Sequence, residues 1–123
     1  MFAGMEEYND QIESTVMKRL FLCSSFADVA DLLPDFGEER RSVAFIPTAA
    51  LHEDYNQYVE DGRLALERME FRVEVLEITQ RTVGEIERTL ERNECVYVSG
   101  GNPFFLMQEL RRKSADREIV RQV

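Results

Sequence analysis

The spacing of hydrophobic and polar positions switches repeatedly between the period of a strand and the period of a helix. Arg19–Ser24 (RLFLCS) is a short apolar run flanked by charge, which predicts a buried strand. SFADVADLLPDF follows, with Phe26, Val29, Ala30 and Leu33 on one helical face and Pro34 near its end. Ser42–Pro47 (SVAFIP) predicts a second strand, closed by a proline that cannot continue a ladder. TAALHEDYNQYVEDGRLALERM then predicts one long helix whose stripe is Tyr55, Tyr58, Val59, Leu66 and Met69, weakened by Gly62. In Phe71–Ile78 (FRVEVLEI), Phe71, Val73 and Val75 alternate with Arg72 and Glu74, as in a strand with one wet face. TVGEIERTLERN predicts a short amphipathic helix, with Thr82 and Glu85 spaced as a capping box. Glu94–Ser99 (ECVYVS) predicts a fourth strand. NPFFLMQELRRK predicts the helix after it, with Asn102 as N-cap and Pro103 at the first helical position, where its missing N–H costs nothing.

Strand and helix alternate four times, which predicts an α/β fold of the Rossmann-like or flavodoxin-like kind. The expected arrangement is a three-layer sandwich around a mainly parallel four-stranded sheet. The whole chain has 123 residues, enough for one domain. Residues 1–16 read as an acidic N-terminal extension with Tyr8, Ile12 and Val16 at helical spacing, and residues 17–123 as the α/β domain.

In an open α/β sheet, ligands bind outside the carboxyl ends of the strands. Here those ends are Cys23–Phe26, Pro47–Leu51, Glu77–Arg81 and Ser99–Pro103. The last, SGGNP, carries the most specific chemistry. Gly100 and Gly101 let backbone N–H groups approach a bound atom, and the helix start beyond Asn102 adds donors and partial positive charge. Together they predict an anion or oxyanion cradle. Nucleophile candidates are sparse. Cys23, Ser24, Ser25 and Ser99 lie at site ends, but no base is fixed near any of them. Cys95 lies at the wrong end of its strand, and His52 is the single imidazole.

A net charge of -9 argues against nucleic acid as a partner, since binding a phosphate backbone needs a basic surface. The basic run of Arg111, Arg112 and Lys113, with Arg117 and Arg121 beyond, suits a solvated helix C-terminus. Two cysteines and one histidine make neither a disulfide framework nor a zinc site, and no cofactor is implied. No apolar run reaches the roughly 18 residues that a membrane span needs, and the acidic start is a poor secretory signal. A cytoplasmic location is the resulting expectation.

KRLFLCSSF, VAFIPTAA and VYVSGGNPFFLMQELRR, in this order and spacing over about residues 17–120, resemble the first part of the dipeptidase E and cyanophycinase-type serine peptidases. The resemblance implies a fold like that of the class I glutamine amidotransferases, and the hydrolysis of aspartyl dipeptides or related peptides. It further implies a serine nucleophile on a G-x-S-A-G elbow, with histidine and acid partners later in the chain. No G-x-S-x-G occurs in these 123 residues, so the resemblance assigns no catalytic residue here and implies a truncated, inactive hydrolase. It assigns only Gly100, Gly101 and Asn102, as the oxyanion-side loop. Ser99 stands where the family has a third glycine, and Pro103 stands where it has threonine, which removes one donor. A sheet ending after four strands leaves an open edge, so a homodimer or a partner chain is expected, alongside a peptide or small anionic ligand.

Overall fold

The computed structural model describes residues 2–9, 14–21, 26–30 and 42–122. Among the described residues the sheet has five strands: β1 (Phe2–Asn9), β2 (Ser14–Phe21), β3 (Ser42–Ile46), β4 (Arg72–Val75) and β5 (Cys95–Val98), in the order β2-β1-β5-β3-β4. The helices are α1 (Phe26–Val29), α2 (Gln57–Arg68), α3 (Val83–Arg92), α4 (Pro103–Arg112) and α5 (Ala115–Gln122).

Three strands form the parallel part. β3 is central, pairing with β4 from Ser42↔Arg72 to Phe45↔Val75 and with β5 from Val43↔Cys95 to Ile46↔Val98. It is buried along its whole length, as a parallel strand covered on both faces must be. Alternation splits the side chains of β3 and β5 between two cores. Val43, Phe45, Cys95 and Tyr97 join Phe26 of α1 with Ala65 and Leu66 of α2. Ala44, Ile46, Val96 and Val98 join Ile86 and Leu90 of α3, Leu110 of α4 and Ala115 of α5. Each large side chain so buried is worth roughly 1.5–3 kcal/mol relative to exposure.

The expectation of a four-stranded sheet is therefore corrected. β2 covers only the first part of Arg19–Ser24, begins earlier, and is antiparallel to β1 from Phe2↔Phe21 to Asn9↔Ser14. β1 in turn pairs antiparallel with β5 from Phe2↔Tyr97 to Gly4↔Cys95. Residues 2–9 are thus strand rather than helix. Their β5 ladder partners are distant in sequence, and a spacing of three apolar residues carries no trace of strand pairing. The predicted helix containing Leu33 and Pro34 lies largely outside the described residues.

Two further elements differ. The long helix predicted from Thr48 is a 3-10 turn at Thr48–Ala50 followed, after an irregular stretch, by α2 from Gln57. β4 is the outermost strand on its side, so Val75 is 44% exposed, and the chain buries Leu76 and Ile78 just beyond the strand instead. The capping box at α3 forms as predicted: Thr82 Oγ1 accepts from Glu85 N at 3.2 Å, and Thr82 N donates to Glu85 Oε1 at 3.2 Å. In the basic run, Arg112 pairs with Glu109 at 2.6 Å, Arg121 pairs with Glu118, and Arg111 and Arg117 are exposed. Among the described residues no helix is long and apolar enough to cross a membrane.

Gly62 is a close approach rather than a weak point in α2. A Cβ there would sit 2.7 Å from Tyr97 Oη. That ring cannot swing away, because it stacks on Phe45 with centroids 4.7 Å apart and meets Phe26 edge-on at 5.2 Å. Gly62→Ala should therefore lower unfolding stability by about 1–3 kcal/mol, overpacking outweighing the roughly 1 kcal/mol that alanine adds to helix propensity. Adding Tyr97→Phe, which removes the clashing oxygen, should restore part of the loss. A denaturant series on the single and double variants checks this, and a more stable Gly62→Ala would contradict it.

Candidate functional site

β3 and β5 are neighbours, yet the helices that follow them pack into different cores: α2 joins Phe45 and Tyr97, whereas α4 joins Ile46 and Val98. The loops leaving the two strands consequently diverge, and the crevice between them is the place where an open α/β sheet binds ligands. Three backbone bonds close the strand ends. Leu76 N donates to Phe45 O at 2.7 Å, Ser99 N to Ile46 O at 3.0 Å, and Asn102 N to Ala49 O at 2.7 Å.

The turn after β3 is pinned from its other side. Thr48, fully buried, donates from Oγ1 to Glu77 Oε1 at 2.7 Å and accepts from Ile78 N at 3.1 Å. Glu77 also receives Thr79 Oγ1 at 3.2 Å and Thr79 N at 3.4 Å. The ends of β3 and β4 are thereby locked together, and the Ala49 carbonyl is held where Asn102 N–H can reach it.

The glycine pair divides its duties. Gly101 has φ +141°, and a Cβ on it would lie 2.2 Å from Ala49 O, so this position admits only glycine without rearrangement. Gly100 is less constrained; a Cβ there would meet Tyr58 at an ordinary 3.7 Å. The Tyr58 hydroxyl donates to Gly100 O at 3.2 Å, which turns the Gly100–Gly101 peptide so that its carbonyl is engaged by protein. Partial burial, and then the nearby Glu53 carboxylate, push the Tyr58 phenol above its ordinary pKa, so it stays a neutral donor.

Beyond the glycines the predicted donors are already used. The Asn102 side chain accepts from Phe104 N at 3.0 Å and Phe105 N at 3.1 Å, Leu106 N donates to Asn102 O at 3.1 Å, and Pro103 has no N–H. The helix start thus contributes its dipole and no free N–H in its first turn, which corrects the expectation of unpaired donors there. Among the described residues, the backbone N–H groups of Gly100 and Gly101 have no hydrogen-bond partner, and both residues are exposed.

The nucleophile candidates fare differently. Ser99 is 4% exposed and its Oγ donates to Gly100 O at 3.3 Å, so it is part of the loop's framework. Cys95 is buried in the core at the amino end of β5. His52 is exposed in the stretch between the 3-10 turn and α2, its ring edge-on to Phe105 at 5.0 Å. Cys23, Ser24 and Ser25 lie outside the described residues. No group of three His, Cys, Asp or Glu side chains converges as a metal site among the described residues. Thr48 and Glu77 fall within strand ends that the sequence marks, and Tyr58 within its apolar stripe, but none of the three is singled out there. The polar hydroxyl of Tyr58 within an apolar helical stripe was the available signal.

Beside the loop, between the ends of β3 and β4 and the start of α2, lies a cleft of about 340 Å³ that includes Pro47, Ala50, Leu51, Val59, Glu60 and Glu77. A groove of about 310 Å³ between α3 and α5 lies elsewhere on the molecule.

The unequal roles of the glycines give a direct expectation. Gly101→Ala should lose at least about 2 kcal/mol of stability through backbone strain and the clash with Ala49. Gly100→Ala should stay within about 0.5 kcal/mol. Equal effects of the two substitutions in thermal or urea unfolding would contradict this geometry.

Residues 20–123 match the model of peptidase family S51. An uncharacterized peptidase of Listeria monocytogenes is 46% identical over 109 residues, covering 87% of this chain and 53% of that protein. An uncharacterized peptidase of Pasteurella multocida is 43% identical over 109 residues, covering 87% of this chain and 53% of its own length. A crystal structure of a candidate peptidase E protein from Listeria monocytogenes superposes with a TM-score of 0.80 at 41% identity, covering 96% of this chain and 54% of that one. The chain thus spans about half the length of the curated relatives it matches. A family match running through both the β3 turn and the glycine loop after β5 places this chain in peptidase family S51.

Proposed function

We propose that this chain supplies the oxyanion side of a peptidase E-type serine hydrolase site, one that acts on aspartyl dipeptides or related peptides, and that these 123 residues alone are inactive. The observation that carries the reading is the pair of unpaired N–H groups at Gly100 and Gly101, both on exposed residues, beside a helix start whose own donors are used. Two neighbouring unpaired N–H groups at the end of a helix dipole suit the oxygen of a tetrahedral intermediate, on which negative charge develops during acyl transfer. Asn102 contributes by capping α4 and by anchoring the loop to Ala49.

Stabilising an oxyanion is only half of the chemistry. Hydrolysis also needs an activated nucleophile, and no G-x-S-x-G elbow occurs in the sequence. The hydroxyl of Ser99 is committed to the loop. We therefore read the chain as a partial hydrolase, with its nucleophile residing on a segment other than these residues, in a cytoplasmic setting. Incubation with a fluorophosphonate probe and with Asp-Xaa dipeptides should give neither labelling nor turnover; either one would overturn the inactive reading.

One observation favours a second reading, a non-catalytic module that dimerises or binds a partner chain. Among the described residues β4 is the last strand on its side of the sheet, and its Val75 is exposed. Unpaired strand edges invite pairing with another chain. On its dimer form, light scattering should report a dimer at high protein concentration, and a strictly monomeric species would rule that form out.

A further inference from the structure

We propose that the cleft at the ends of β3 and β4 receives a cationic group of a peptide, an ammonium or guanidinium, and that Glu77 is the carboxylate that binds it. The peptide nature of the ligand rests on the hydrolase reading above; the selection of positive charge rests on the cleft itself.

At about 340 Å³ the cleft is large enough for one or two residues of a peptide. Pro47, Ala50, Leu51 and Val59 supply apolar wall, and its charged residues are Glu60 and Glu77, with no lysine, arginine or histidine among its lining. The two carboxylates are not equivalent. Glu60 is exposed and takes a two-pronged ion pair from Arg63, so its charge is already answered. Glu77 is half-buried, and every donor it receives is neutral: Thr48 Oγ1, Thr79 Oγ1 and Thr79 N. No cationic side chain pairs with it among the described residues. These bonds hold the carboxylate in one orientation without cancelling its charge, the arrangement suited to receiving a cation from outside.

The cleft also adjoins the oxyanion donors. Ala50 is part of its wall, and the same 3-10 turn packs directly beneath Gly101, whose absent Cβ would lie 2.7 Å from Ala50 N. A peptide with its cation at Glu77 would run along this turn towards the Gly100 and Gly101 N–H groups. An aspartyl dipeptide would meet the cleft through its N-terminal ammonium, because a second carboxylate beside Glu77 is repelled.

The test is titration of the isotopically labelled chain, following backbone amides, with Leu-Ala, N-acetyl-Leu-Ala and N-acetyl-lysine amide. Leu-Ala should shift Ala50, Leu51 and Ile78, and its acetylated form should bind at least tenfold more weakly. A response to N-acetyl-lysine amide would assign the cleft to side-chain cations as well, and silence would assign it to the peptide N-terminus. Glu77→Gln should weaken the cationic probes about tenfold, while Glu60→Gln changes them less than twofold. Equal binding of free and acetylated Leu-Ala, silence with both cationic probes, or an unaltered Glu77→Gln would overturn the proposal. The free-against-acetylated comparison uses the unmodified chain and decides the matter if the variant does not fold. Failure of the hydrolase reading is separable: Ala50 and Leu51 would then respond to Leu-Ala while Gly100 and Gly101 stay silent to it.

Discussion

The hydrogen bond from Asn102 N–H to the Ala49 carbonyl, 2.7 Å long, is the contact on which the carboxyl edge of this sheet depends. It joins the loop after β5 to the turn after β3, two segments whose helices leave towards different cores. The bond is possible only because Gly101 has no side chain; any Cβ there would occupy the space of the Ala49 carbonyl. It also has a supporting chain of contacts. Thr48 fixes the turn by bonding Glu77 and Ile78, so the Ala49 carbonyl is a rigid acceptor rather than the tip of a free loop. Rigidity matters for an oxyanion cradle, because donors that must reorganise at the moment of reaction lose much of their effect.

Much of the fold was legible because it is local. β3 and β5 are continuous apolar runs, as strands buried on both faces must be. The start of α3 was announced by Thr82 and Glu85, and that of α4 by Asn102 and Pro103. What failed to show was strand pairing and strand order. The pairing of β1 with β2 and β5 has no signature in the spacing of its own residues. The place of β4 at the sheet's edge reverses the expected burial of Val75, and only strand order, which no single segment encodes, determines it.

The site divides along the same line. The turn at Gly100, Gly101 and Asn102 was readable because a glycine pair before an N-capping asparagine marks a strand-to-helix turn. Thr48, Glu77 and Tyr58 were not, because their roles are pairings across the fold: Thr48 to Glu77 over 29 positions, and Tyr58 to Gly100 over 42. A threonine after a strand or a tyrosine on an apolar stripe has many uses, and only its partner selects one. Conversely, Ser99 looked like a nucleophile candidate because hydroxyls at strand ends are common in sites. Burial and its bond to Gly100 O commit it to structure.

The same geometry fixes how many donors the cradle can offer. An asparagine cap takes the N–H groups of the second and third helical residues, here Phe104 and Phe105, which leaves the first as the remaining donor of that turn. Proline at that first position removes it. Asn102 N–H is spent on Ala49, so the backbone donors this loop leaves unpaired reduce to those of the glycine pair. Two donors are enough to define a direction of approach, since an oxygen must lie within about 3 Å of both. On the oxyanion reading proposed above, the loop would fix one atom in place. Binding the remainder of a ligand falls to the walls around it, of which the turn beneath Gly101 is the nearest.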